Sequence, residues 1–121
     1  MNTTPTSVPE ALVEWASALD AMVERGRAYL MAAKTWLSAG GEREDEDTPA
    51  AGAMRTALAA MDEARERFNA AQTAAEQVPP ESLRTPAALV LLGRVAIQLM
   101  HLTGFEAEMR KIRVAVQAER N

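Results

Sequence analysis

The chain has 121 residues, a net charge of −4 and no cysteine. That length makes one domain, large enough to bury a core unaided, and the lack of thiols excludes a disulfide framework and thiolate metal sites. A single histidine excludes any site built on two imidazoles, and the mildly acidic balance argues against broad electrostatic binding to nucleic acid or anionic membrane.

Aromatic residues are scarce, at 4%, whereas a β-rich chain needs aromatic and β-branched residues. Abundant Ala, Leu, Glu, Arg and Met instead favour long helices. Arginine in excess of lysine, beside so much alanine, fits a bacterial or phage genome of high GC content. The N-terminal stretch to Glu10 has neither the basic residue nor the apolar centre of a signal peptide, so a cytoplasmic location is expected and residues 1–7 read as disordered. Residues 8–121 read as one helical domain with an acidic loop at 40–48.

Ser7-Val8-Pro9-Glu10 predicts a helix start in which Ser7 caps, Pro9 sits in the first turn and Glu10 completes a capping box. Apolar positions then run Leu12, Trp15, Leu19, Met22, Gly26, Tyr29, Ala33, Trp36, in alternating steps of three and four. Ala16, Val23, Leu30 and Leu37 widen that seam, as a bundle helix requires. Gly40-Gly41 offers a left-handed stop. Glu42 to Asp47 (EREDED) is a charged loop with nothing to bury.

Thr48-Pro49 predicts the second helix, with Thr48 or Asp47 capping and Pro49 in the first position. Its seam is Met54, Leu58, Met61, Ala64, Phe68, Ala71, Ala75, Val78. Its outer face carries Asp62, Glu63, Arg65, Glu66 and Arg67, with Glu63 and Arg67 spaced for a helix-supporting pair. Val78-Pro79-Pro80 ends it, a single turn follows, and Thr85-Pro86 starts the third helix. That helix is read with a seam of Leu89, Leu92, Ala96, Leu99, Leu102, Phe105, Met109, Ile112 and Val116. Because the phase carries through Gly104, one long helix is expected; a break near Gly104 would give four. The fold class is all-α, an antiparallel bundle of three long helices running up, down and up.

The run Ala87 to Met100 is apolar on nearly every side of a helix, interrupted only by Gly93, Arg94 and Gln98. Such a helix must be covered on most sides, more than two neighbours in a small bundle supply. A homodimer is expected across Leu91, Arg94, Val95 and Gln98, and Leu91, Val95, Gln98 and Leu102 form the expected docking face for another protein. A methionine-rich groove beside the alanine-rich second helix is a further docking place. At about 14 residues the apolar run is shorter than a membrane span, so neither membrane nor nucleic acid is an expected partner. The function read from this pattern is a non-enzymatic protein–protein interaction module, such as an adaptor, an assembly factor or a phage-type inhibitor.

No glycine-rich phosphate loop, nucleophile elbow or metal-ligand spacing is present, and no cofactor or metal is expected. The acidic run lacks the oxygen spacing of a calcium loop. Asp62, Glu63 and Glu66 interleave with Arg65 and Arg67, the pattern of a solvated face. Arg110, Lys111, Arg113 and Arg120 complement a helix C-terminus. Arg94 and His101 lie two turns apart on one face of the third helix. That pair resembles the motif of HEPN-type ribonucleases, helical proteins in which an arginine precedes a histidine by a few residues and dimerisation brings two motifs together. The resemblance implies acid–base cleavage of RNA by His101 with Arg94 near the phosphate. It covers two residues, and it departs from the usual form at Val95, where a polar residue follows the arginine.

Overall fold

The structure is a computed structural model that describes residues 8–43 and 45–120, with side chains described up to Ile112 and at Val114. It is all-α, with α1 (Glu10–Ser38), α2 (Pro49–Ala75), a 3-10 turn (Pro80–Leu83) and α3 (Pro86–Arg120) packed as a small bundle. The expectation of disorder over residues 1–7 lies outside the described residues.

Helix starts and stops follow local chemistry, with one correction. Pro9 occupies the N-cap of α1, at φ −53° and ψ 139°, and no side chain among the described residues caps the helix, Ser7 lying outside them. A capping box needs its acid three residues past the cap; Glu10 is instead the first helical residue, where its charge meets the helix dipole. At the other end Gly41 N–H donates to Trp36 O at 2.9 Å and Gly40 N–H to Leu37 O at 3.0 Å, with Gly40 at φ +82°. These two bonds and the left-handed glycine form a Schellman stop. Thr48 caps α2 as expected, its Oγ1 accepting from Ala51 N–H at 3.2 Å, and Thr85 caps α3 by accepting from Ala88 N–H at 3.1 Å.

Side-chain pairs fix the topology. Glu14 near the start of α1 meets Arg67 near the end of α2, so those helices run antiparallel. Asp20 meets Arg94 and Lys34 meets Glu108, so α3 runs parallel to α1. Both α2 and α3 lie close to α1, while their backbones do not closely approach each other among the described residues. α1 is therefore the shared wall. Its heptad seam is buried almost throughout, from Leu12 and Leu19 through Met22 and Tyr29 to Trp36.

The core divides along α1. One cluster joins Ala16, Leu19, Met22 and Val23 to Ala64, Phe68 and Ala71 of α2 and Val95 of α3; the other joins Tyr29, Ala33 and Trp36 to Ala51, Met54 and Met61. Met22, Met54 and Met61 are buried and Met109 packs against the second cluster. These four methionines therefore fill the core and do not line an open groove beside α2. The charge pairing on α2 also differs from the sequence reading. Arg67 reaches across to α1, donating to both carboxylate oxygens of Glu14 at 2.9 Å and to Ser17 Oγ at 3.1 Å, a bidentate geometry that a neighbour on the same helix does not match.

α3 is one continuous helix through Gly104. In its second half Leu102, Phe105, Met109 and Ile112 face the core as expected. In its first half the expected seam is out of phase: Leu89 and Leu99 are exposed and Ala96 with them, while Ala88, Leu91 and Val95 face α1. Carried back from Phe105 in steps of four and three, the seam passes through Leu102, Gln98, Val95, Leu91 and Ala88 (Gln98 being the polar member).

Candidate functional site

The inner side of α3 ends in a small polar network. Arg94 donates from Nη2 to Asp20 Oδ2 on α1, and Gln98 Nε2 donates to Asp20 Oδ1 at 2.8 Å. Since its amide nitrogen is committed to Asp20, Gln98 turns Oε1 toward His101 Nδ1, 3.1 Å away. An amide oxygen only accepts, so Nδ1 carries the hydrogen and Nε2 is the nitrogen left over. His101 is exposed. The guanidinium of Arg94 is engaged by a carboxylate on its own chain, and the link from Arg94 to His101 passes through Asp20 and Gln98. As it stands the network ties α3 to α1.

The docking face expected from the sequence does not point outward. Val95 is 3% exposed, Leu91 and Leu102 pack against the same cluster, and Arg94 and Gln98 hold Asp20. The reason is the phase shift: α1 presents Leu19, Met22 and Asp20 to α3, and the stripe that satisfies all three contains Gln98. Lower down, Lys34 pairs with Glu108 at 3.0 Å and the Arg27 guanidinium lies 5.8 Å from the centre of the Phe105 ring. Phe105 also covers Gly26, where an added Cβ would stand 3.3 Å from the ring.

What α1 does not cover is the opposite side. Leu89 is 57% exposed, Val90 76%, Ile97 57% and Met100 72%. Gly93 and Ala96 lie among them and are exposed too, so Leu89, Gly93, Ala96, Ile97 and Met100 follow one another in steps of four, three, one and three along one side of the helix. Over that side, from Pro86 to Gly104, the sequence places no charged residue; Arg94, the one charge in the interval, turns back to Asp20. This is the face that sequence reasoning missed. By length and composition α3 over Pro86–Ile112 also suffices to cross a membrane, with little of it buried.

The remaining candidates fall elsewhere. Glu46 bends its carboxylate over the acidic loop, where it accepts from Glu42 N–H at 2.6 Å, while its backbone oxygen accepts from Arg55. Asp62 pairs with Arg65 on the outside of α2. Among the described residues no group of three or more acidic or histidine side chains is placed to hold a metal. Arg110 and Lys111 are exposed, and the side chains of Arg113 and Arg120 lie outside the described residues. Glu14, beside Arg67, is held below the usual carboxylate range by the hydrogen bond from that guanidinium.

The chain matches no protein-family model, no curated protein and no solved structure.

Proposed function

We propose that the chain is a non-enzymatic protein–protein interaction module whose working surface is the outer side of α3. It acts in the cytoplasm as an adaptor, an assembly factor or an inhibitor of the phage type. The observation that supports this reading is the uncharged face carrying Leu89, Val90, Ile97 and Met100, each more than half exposed. Scattered apolar residues on a surface need no explanation, but a continuous apolar stripe does.

Magnitudes set what such a face must do. Burying the exposed parts of those four side chains is worth on the order of 5 kcal/mol. Association costs at least about 4 kcal/mol in lost freedom, so a partner must cover the stripe along its length, neighbours included, and not one residue of it. An extended helix or a flat helical surface meets that requirement.

The test is site-specific photo-crosslinking in the native host. A photoreactive residue at Ile97 or at Met100 is expected to give discrete protein adducts, whereas one at Ala70, exposed on α2, gives none. Introducing Leu89→Asp alongside the probe at Met100 should abolish the adducts without changing the helical content. Equal labelling from α2 and α3, or no adduct from either, would overturn the reading.

A further inference from the structure

α3 is held from one side. Among the described residues its backbone closely approaches α1 and the 3-10 turn before it, and not α2. Ala88 and Val95 are its only buried residues among those described, and Leu91, Leu102, Phe105, Met109 and Ile112 are half-buried. α1, by contrast, is buried along its whole seam, and α2 from Ala51 to Ala71. We propose that α3 opens as a unit, swinging out on the connection 76–85 while α1 and α2 stay packed, and that Asp20 is the latch that holds it shut.

Burial places the division between α3 and the other two helices. The cluster of Tyr29, Ala33 and Trp36 with Ala51, Met54 and Met61 belongs to α1 and α2, and α3 adds to it only the half-buried Met109 and Ile112. In the other cluster Val95 is the one buried residue that α3 supplies, beside Ala64, Phe68 and Ala71 from α2. Neither α1 nor α2 can leave without taking both clusters apart. α3 can leave with most of the buried apolar surface still in place, and a part that gives up little burial is the part that opens first.

The connection is built to turn. Gln77 N–H donates to Ala74 O at 3.1 Å, Val78 N–H to Ala75 O at 3.1 Å and Ser82 N–H to Pro79 O at 3.0 Å. Each bond closes within the connection or onto the last turn of α2, so a swing of α3 breaks none of them. Thr85 caps α3 through Ala88 N–H and travels with it. What must break is the hold of Asp20 on Arg94 and Gln98. The Asp20 side chain is 30% exposed, so these charge-assisted bonds are partly sheltered from water. The Lys34–Glu108 pair is about half-exposed at both ends and holds little.

Opening uncovers the stripe of Leu91, Val95 and Leu102 together with the part of the α1 seam beneath it, an apolar surface that the closed form hides. The outer side of α3 is exposed in both forms, so the device stands whether or not that side binds a partner.

The experiment is native-state hydrogen exchange of the full chain in low urea, read amide by amide from Val90 to Met109 against the slowest amides of α1 and α2. The α3 amides are expected to share one opening, easier than global unfolding, with a urea slope between zero and the global slope because only part of the surface is exposed. Two variants then divide the alternatives. Thr48→Ala removes a cap made within α2 itself. It should speed the slowest α1 and α2 amides roughly fivefold and leave α3 exchange unchanged, since α2 is intact in the open form. Asp20→Ala should speed α3 exchange about tenfold. If Thr48→Ala speeds α3 and the hairpin alike, the chain opens as one unit and the proposal falls. If α3 exchange has no urea slope, it reports fraying of single turns, and the proposal falls again. If Asp20→Ala leaves α3 exchange unchanged, Asp20 is not the latch.

Discussion

Asp20 on α1 accepts the side-chain amide of Gln98 on α3 at 2.8 Å, within a seam whose other members are apolar. The same carboxylate takes Arg94, so one acid anchors two α3 side chains. Asp20→Ala strips both at once and is expected to destabilise the fold by about 1–2 kcal/mol, the range of a partly exposed charged hydrogen-bond pair. Gln98→Leu leaves Asp20 with Arg94 and adds apolar contact; its expected effect is under about 1 kcal/mol. Urea denaturation of the two variants checks the order.

His101 is exposed and, among the described residues, is hydrogen-bonded to Gln98. His101→Ala is expected to leave both stability and self-association unchanged. Mass and melting temperature decide this. Cleavage of RNA by the wild type, abolished in a folded His101→Ala, would instead support the two-residue resemblance to HEPN-type ribonucleases.

Gly41 lies against the Trp36 indole so closely that an added Cβ would overlap the ring. Gly41→Ala must displace the ring or the turn, and a loss of about 1–3 kcal/mol is expected. Trp36 is nearly fully buried and its Nε1 has no hydrogen-bond partner among the described residues. Trp36→Phe gives up packing but also removes that orphan donor, so it should cost much less than the roughly 3–5 kcal/mol of Trp36→Ala. Thermal unfolding of the three variants tests the ranking.

The Glu14–Arg67 pair makes stability depend on pH in one direction. The Arg67 hydrogen bond lowers the Glu14 pKa in the folded chain, so the unfolded chain binds the proton more readily. The pair's contribution is complete above the unfolded value and is lost as pH falls through the lower, folded one. Wild type and Glu14→Gln should therefore differ slightly at neutral pH and converge in acid. Denaturation midpoints measured down the acid limb check the convergence; a gap that widens toward low pH would contradict it.

The sequence made α1 and α2 legible because each alternates large apolar residues with charges. Leu12, Leu19 and Tyr29 admit one phase only, and Met54, Met61 and Phe68 likewise. Ala87 to Met100 offers no such contrast. With apolar residues on every side, the stripe through Leu89 and Leu99 reads as well as the one through Leu91 and Val95, and Gln98 made the right stripe look wrong. Two signals pointed the other way: the unambiguous phase of Phe105, Met109 and Ile112, and Asp20, an acid on the edge of the α1 seam for which Arg94 and Gln98 are the natural partners. The outer face followed from the same ambiguity, since the interior stripe had to be known before its opposite could be.

Because the backbones of α2 and α3 each lie close to α1 and, among the described residues, not to one another, the burden of substitution is unevenly spread. An altered side chain in the α2 or the α3 seam is felt across one joint. At Leu19 or Met22, which touch a cluster fed from both sides, it is felt across two. Tolerance to sequence drift should thus be lowest in the middle of α1 and highest along the outside of α2, since the outer side of α3 answers to the partner it must fit.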